Sequence, residues 1–218
     1  MTILPALTTA NAIRWGRMKL TRNFTATAKR LVESKARYQS VEAKTGVPWF
    51  VIAVIHEREA DQNWNTQLGQ GDPLHEVSRH VPRGRGPFKT WEDGAIDALV
   101  ETAPYAATWT NWTAGGAMCL LEQYNGTGYA ARGEPSPYVW SGTDQYVRGK
   151  YIRDGVYDPR AVDSQLGCAG LIMTMMELDP TISFGAPTMK PAAPSEPPLP
   201  TSLWTLILSI IRMIFRRK

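Results

Sequence analysis

The chain has 218 residues, with 24 Lys and Arg against 20 Asp and Glu, 43% hydrophobic residues and two cysteines. That length and composition suit one globular domain with appendages and exclude wholesale disorder. Cys119 and Cys168 are too few for a disulfide scaffold or a cysteine-rich zinc module, and two buried thiols are the simpler expectation than a single bridge.

The formal charge of +4 sits in one place. Residues 203–218 hold Arg212, Arg216, Arg217 and Lys218 and no acid. Taking those four from 24 leaves 20 basic against 20 acidic groups in residues 1–202. The body therefore offers no basic stripe, and no nucleic-acid partner is expected.

Along the chain, the N-terminus lacks a basic region, and its apolar stretch is interrupted by Pro5 and the Thr8-Thr9 pair. It does not read as a secretory signal, so retention in the cytoplasm is the expectation. Residues 21–44 lack Pro and Gly, and Phe24, Ala28, Leu31, Tyr38 and Val41 return at helical spacing. This predicts one amphipathic helix, ended by Gly46. A second helix is predicted from Pro48 to Ala60, since proline suits a first helical turn. Residues 61–90 read as a long loop or a small β-hairpin lobe. Helical patterns return at 91–102, 112–124 and 162–178, with structured loop over 125–161. Residues 187–200 hold 6 of the chain's 16 prolines, which makes a semi-rigid spacer.

The most informative segment is the helix ending at Ala60. Val51, Ile55 and Glu59 fall on one stripe at i, i+4 and i+8, so an apolar face ends in a carboxylate. Desolvation at such a rim raises a carboxyl pKa, which keeps the acid protonated and equips it as a general acid. A helix-terminal Glu paired with Arg58 is the plainer alternative. Glu57 points to the other side and is expected to be solvated. The run from His56 to Ala60 begins like a zinc-protease helix, but the second histidine would have to stand where Ala60 is. No other ligand spacing and no Gly-x-Ser-x-Gly elbow occurs, so neither a metal nor a cofactor is expected. Asp72, in Gly71-Asp72-Pro73, follows Glu59 by thirteen residues across a loop that can fold back over a helix end. Two carboxyls flanking a groove equip an enzyme for glycosidic cleavage, whereas Gly-Asp-Pro alone is a common turn.

Several ordered blocks resemble bacteriophage endolysins and related cell-wall lysozymes of the lysozyme-like superfamily. They run from Thr45-Gly46-Val47-Pro48-Trp49 through Ile55-His56-Glu57-Arg58-Glu59, Gly71-Asp72-Pro73-Leu74 and His80-Val81-Pro82. Further blocks start at Trp91, at Leu121-Glu122-Gln123-Tyr124-Asn125-Gly126 and at Ser136-Pro137-Tyr138-Val139-Trp140. The resemblance implies a mainly α, α+β lysozyme-like fold, two-lobed, with a groove between lobes. It implies Glu59 as the catalytic acid, Asp72 as second carboxylate, and Ser78 in place of a threonine that positions water or substrate. Tyr124, Asn125, Tyr138 and Trp140 become candidates for sugar binding. Of eight tryptophans one or two are expected in the groove, with Trp64 also near the matching blocks; the rest belong in the core. Ala60 departs from the family, which usually has Ser there.

The segment 203–215 is about 20 Å long as a helix, too short for the roughly 30 Å of a bilayer core. Leu203, Trp204, Ile211 and Phe215 give it apolar surface, and Arg212, Arg216, Arg217 and Lys218 suit an anionic lipid or outer-membrane surface. The expected organisation is a catalytic domain over 1–186, a linker over 187–200 and a membrane-active tail over 201–218. The expected function is hydrolysis of bacterial peptidoglycan glycan by a monomer, admitted from the host cytoplasm to the wall through a holin-type pore. A lytic transglycosylase, a non-catalytic wall-binding or phage structural protein, and a membrane-disrupting tail on an inert body are the alternatives.

Overall fold

The computed structural model describes residues 3–69 and 71–185. The expected linker and tail, and with them every candidate membrane residue from Leu203 to Lys218, lie outside the described residues. So does the stop of the catalytic domain at 186.

Among the described residues the fold is mainly helical, with one small sheet. Its helices are α1 (Ile3–Arg17), α2 (Thr25–Glu33), α3 (Lys35–Thr45), α4 (Trp49–Ala60), α5 (Trp91–Val100), α6 (Ala114–Tyr124), α7 (Gly128–Ala131), α8 (Pro137–Trp140) and α9 (Cys168–Leu178). Strands β1 (Lys150–Arg153) and β2 (Val156–Asp158) pair antiparallel, with Tyr151 opposite Tyr157.

Helix α4 organises the domain. Every residue from Trp49 to His56 is buried, so this helix is covered on all sides rather than on one stripe. Helices α2, α3, α6 and α9 pack around it. The expected second helix therefore holds, starting after Pro48. Helix α5 starts on a reciprocal cap: Thr90 accepts from the Asp93 backbone N–H and Asp93 accepts from that of Thr90.

The single helix expected over 21–44 is two, because Ser34 breaks it; Gly46 does end the second, at φ 72°. The N-terminal residues form α1, with Pro5 in its first turn where it removes no helical hydrogen bond. Helix α1 packs on α6, and a Cβ at Gly115 would stand 2.5 Å from the Thr8 carbonyl, so only glycine permits the approach. Among the described residues, 61–90 are loop with one isolated bridge, Thr66 with Pro73, as the loop alternative expected, whereas the structured loop expected over 125–161 instead holds α7, α8 and the hairpin at 150–158.

Candidate active site

The C-terminal turn of α4 carries Glu57, Arg58 and Glu59 out of the core in three directions. Asp61 and Gln62 then take left-handed conformations at φ 49° and 57°, which stop the helix and turn the chain back. The turn is pinned by an aromatic box. Buried His56 has its ring 4.6 Å from that of Trp64 and 4.4 Å from that of Trp91. Burial pushes its pKa down to about 4, so the ring is neutral at pH 7. Its Nε2–H donates to the Asn63 carbonyl at 3.1 Å, which leaves Nδ1 to accept from the Tyr38 hydroxyl at 3.1 Å. Trp64 closes the box under the Arg37 guanidinium, 3.8 Å away. Its partners here are protein rings, so Trp64 serves to hold the loop after α4.

Glu59 sits at the rim of the core, partly exposed. Its Oε1 accepts from the Tyr138 hydroxyl at 2.8 Å. Burial pushes its pKa up to about 7, against the opposing pull of the Tyr138 hydroxyl and the Arg58 charge. A carboxyl in that state holds a proton at neutrality and can release it on demand. Tyr138 is itself buried on α8, and burial together with the Glu59 charge raises its own pKa far above the usual phenol value, so it stays a donor. The Tyr124 hydroxyl, also within reach of the Glu59 charge, is buried and has no hydrogen-bond partner among the described residues.

Glu57 corrects its expectation of solvation. Its side chain is only 13% exposed, burial raises its pKa, and Arg30 stands 3.5 Å away in opposition.

Arg58, expected only as a partner of Glu59, instead ties the site to the far part of the chain. It bonds Asp163 at 2.8 Å and the Leu166 carbonyl at 3.2 Å, and its guanidinium lies 4.8 Å from the centre of the Tyr138 ring. Lys150 on β1 bonds the same carboxylate at 2.8 Å, and the two cations hold the Asp163 pKa below its usual range. The adjacency of Arg58 to Glu59 was a signal in the sequence. Nothing local pointed to Asp163, 105 residues away.

Asp72 and Ser78 have other employment. Asp72 is buried and accepts from the backbone N–H groups of Arg79 and His80, each at 3.0 Å, and from His80 Nδ1 at 2.8 Å. These bonds, the His80 backbone first, depress its pKa. The Ser78 hydroxyl donates to the Pro82 carbonyl at 2.8 Å and accepts from the Arg85 N–H at 2.9 Å. Both side chains therefore organise the loop over 72–85, whose start passes the Glu59 carbonyl at Gly71. Ser78, expected to position water or substrate, spends its proton and one of its two acceptor sites within this loop.

Two open cavities lie beside this group. One, of about 400 Å³, has Arg58, Asn125, Tyr138, Lys150, Tyr151 and Asp163 in its wall. The other, of about 430 Å³, is bounded by Tyr124, Tyr105 and the Val81-Pro82-Arg83 stretch. Of the four sugar-binding candidates, Asn125 and Tyr138 reach the first cavity and Tyr124 the second. Trp140 reaches neither: it is fully buried in the core, so its assignment to the groove is corrected.

Among the described residues no group of three His, Cys, Asp or Glu side chains could hold a metal ion, and no helix is long and apolar enough to cross a membrane. Cys119 and Cys168 are both free and buried. These features define the class only broadly, as a mainly helical protein with a partly exposed carboxyl of raised pKa, bonded to a tyrosine that lines a cavity. Comparison with protein-family models, with curated proteins and with solved structures finds no match to the chain.

Proposed function

We propose that the chain cleaves the glycan strands of bacterial peptidoglycan, as a lysozyme-like endolysin with Glu59 as general acid. The observation that carries this reading is the Glu59 carboxyl, raised to about 7 and bonded to Tyr138, whose ring lines a cavity of about 400 Å³. A bound strand needs open space near the acid, and its leaving oxygen needs a proton at neutral pH. The ordered resemblance to phage endolysins adds the substrate class. On this reading Tyr138 fixes the acid, and Asn125 and Tyr124 face the bound strand.

A second enzymatic reading, the lytic transglycosylase, gains from Asp72. A carboxylate that accepts three N–H donors and has a depressed pKa is a poor base for activating water. A one-carboxylate mechanism, in which a hydroxyl of the sugar attacks in place of water, needs no such base.

Mass analysis of fragments released from purified cell wall tests both. Reducing ends support hydrolysis, anhydro ends support the transglycosylase, and no fragments from a folded protein remove the enzyme reading. The membrane role of residues 201–218 is a separate proposal. A chain cut after residue 202 should digest purified wall unchanged but lose binding to anionic vesicles; vesicle binding equal to that of the full chain would end it.

A further inference from the structure

The cavity beside Tyr138 carries more positive charge than its own side chains neutralise. At its floor one carboxylate, Asp163, whose side chain is 1% exposed, holds both Arg58 and Lys150 at 2.8 Å. Arg58 is 6% exposed, and its buried Nε–H has no partner among the described residues. Lys150 also lines the cavity, is 35% exposed and gives one N–H to Asp163, which leaves two further donors on its ammonium group. At the mouth, Arg153 and Asp154 beside the hairpin turn cancel formally. The wall therefore sums to one unbalanced positive charge.

An unpaired charge near a protein interior is disfavoured, and an anion that carries one negative charge relieves it. Hydrogen bonds from Lys or Arg to carboxylate are also shorter and stronger than neutral ones. The volume decides what kind of anion. About 400 Å³ lies in the range of pockets for organic ligands and far exceeds the roughly 30 Å³ share of a single water molecule, so a bare inorganic ion would leave it mostly empty. The neutral amides of Asn125 and Gln165 and the ring of Tyr151 suit an extended, amide-bearing group. The position adds the last element: Tyr138 is shared between this wall and the Glu59 carboxyl, so the ligand would hang from the sugar next to the reacting bond.

We propose that this cavity is a subsite for a free carboxylate on the peptide arm that wall glycan carries. The proposal rests on the glycan-cleaving reading for its source of ligand, and on the charge imbalance for its chemistry.

The test uses the full chain bearing Glu59→Gln, so that the probe is not consumed. Two probes are titrated by calorimetry at low salt: a disaccharide-tripeptide with free carboxylates, and the same compound with those carboxylates converted to amides. The free acid should bind at least fivefold more tightly. Adding Lys150→Gln should bring the ratio close to one by weakening the acid alone, and Lys150→Arg should restore most of it. A ratio near one in the Glu59→Gln protein, a ratio that survives Lys150→Gln, or binding of neither probe overturns the subsite. Should Lys150→Gln fail to fold, the ratio in the Glu59→Gln protein decides. Wild-type digestion of purified wall is run in parallel. Failure to cleave with the acid preference intact would remove the glycan-cleaving reading and leave the subsite standing; cleavage without the preference would do the reverse.

Discussion

Replacing Glu59 by Gln should lower activity and raise stability at once, with a pH dependence that identifies the cause. Burial moves this carboxyl from 4.5 to about 7, and one pKa unit is worth about 1.36 kcal/mol. A displacement of roughly 2.5 units sets a ceiling near 3 kcal/mol on what the folded state loses when Glu59 ionises. The sign follows from the folded pKa lying above the unfolded one. Below the unfolded value both states are protonated and nothing is lost; the loss grows as pH rises through the folded value and is constant beyond it. Glu59→Gln should therefore match the wild type at pH 4 and exceed it at pH 8 by about 1–3 kcal/mol, roughly 2–10 °C in Tm for a chain of this size. Over the same change, wall cleavage should fall by roughly 10²–10⁴-fold, as loss of a general acid typically does. Wild-type cleavage should itself decline about tenfold per pH unit above 7, following the protonated fraction. Thermal melts at the two pH values and release of wall fragments measure these quantities. A stability difference that is the same at pH 4 and pH 8 would refute the buried-acid argument, and near-wild-type cleavage by the folded variant would refute the catalytic one.

Tyr138→Phe removes the hydroxyl that opposes the rise of Glu59, so the alkaline limb of the activity profile should move to higher pH; an unmoved limb would show the hydrogen bond to be idle. Asp163→Asn leaves Arg58 and Lys150 facing a neutral amide, and should cost about 3–5 kcal/mol in urea denaturation because a buried charge loses its partner. A loss below about 1 kcal/mol would mean that water already screens the pair. Asp72→Asn should speed proteolytic cleavage after Arg79 and Arg83 through loosening of the loop over 72–85, while Glu59→Gln leaves that rate unchanged. An unchanged digestion rate in Asp72→Asn would return Asp72 to direct chemistry.

What the sequence made legible was whatever depends on near neighbours. The stripe of Val51, Ile55 and Glu59 contained the site's acid because one helix sets all three positions, and burial then does the rest. Helix α5 and its cap were equally local. The break at Ser34 was not legible, since the helical pattern runs through it and no Gly or Pro marks it. Asp154-Gly155 between apolar and aromatic residues was an available hairpin signal at 150–158, outweighed by the glycine and proline content around it. Asp163, Lys150 and the phenol of Tyr138 reach Arg58 and Glu59 only through tertiary packing, across separations of up to 105 residues. The reading of Trp140 erred in the other direction: a tryptophan inside a matching block was taken for a sugar platform, and it fills the core.

The end of α4 offers two desolvated carboxyls, and their partners distinguish them. Both Glu57 and Glu59 are raised by burial. Glu57 faces the Arg30 guanidinium at 3.5 Å, a full charge that favours its ionised form and ties it to an ion pair. The contact nearest Glu59 is a neutral phenol, while the guanidinium of its chain neighbour Arg58 is occupied by Asp163 and the Leu166 carbonyl. Burial raises the Glu59 pKa, the Tyr138 hydroxyl and the Arg58 charge oppose the rise, and the balance lies at about 7. An acid so balanced can give its proton to a leaving oxygen and recover it within one cycle. Glu57, held by a cation on the opposite side of the helix, stabilises the packing of α2 on α4 instead. On the proposed reading, the same helix end gives structure to one carboxyl and chemistry to the other through the charge of what each one meets.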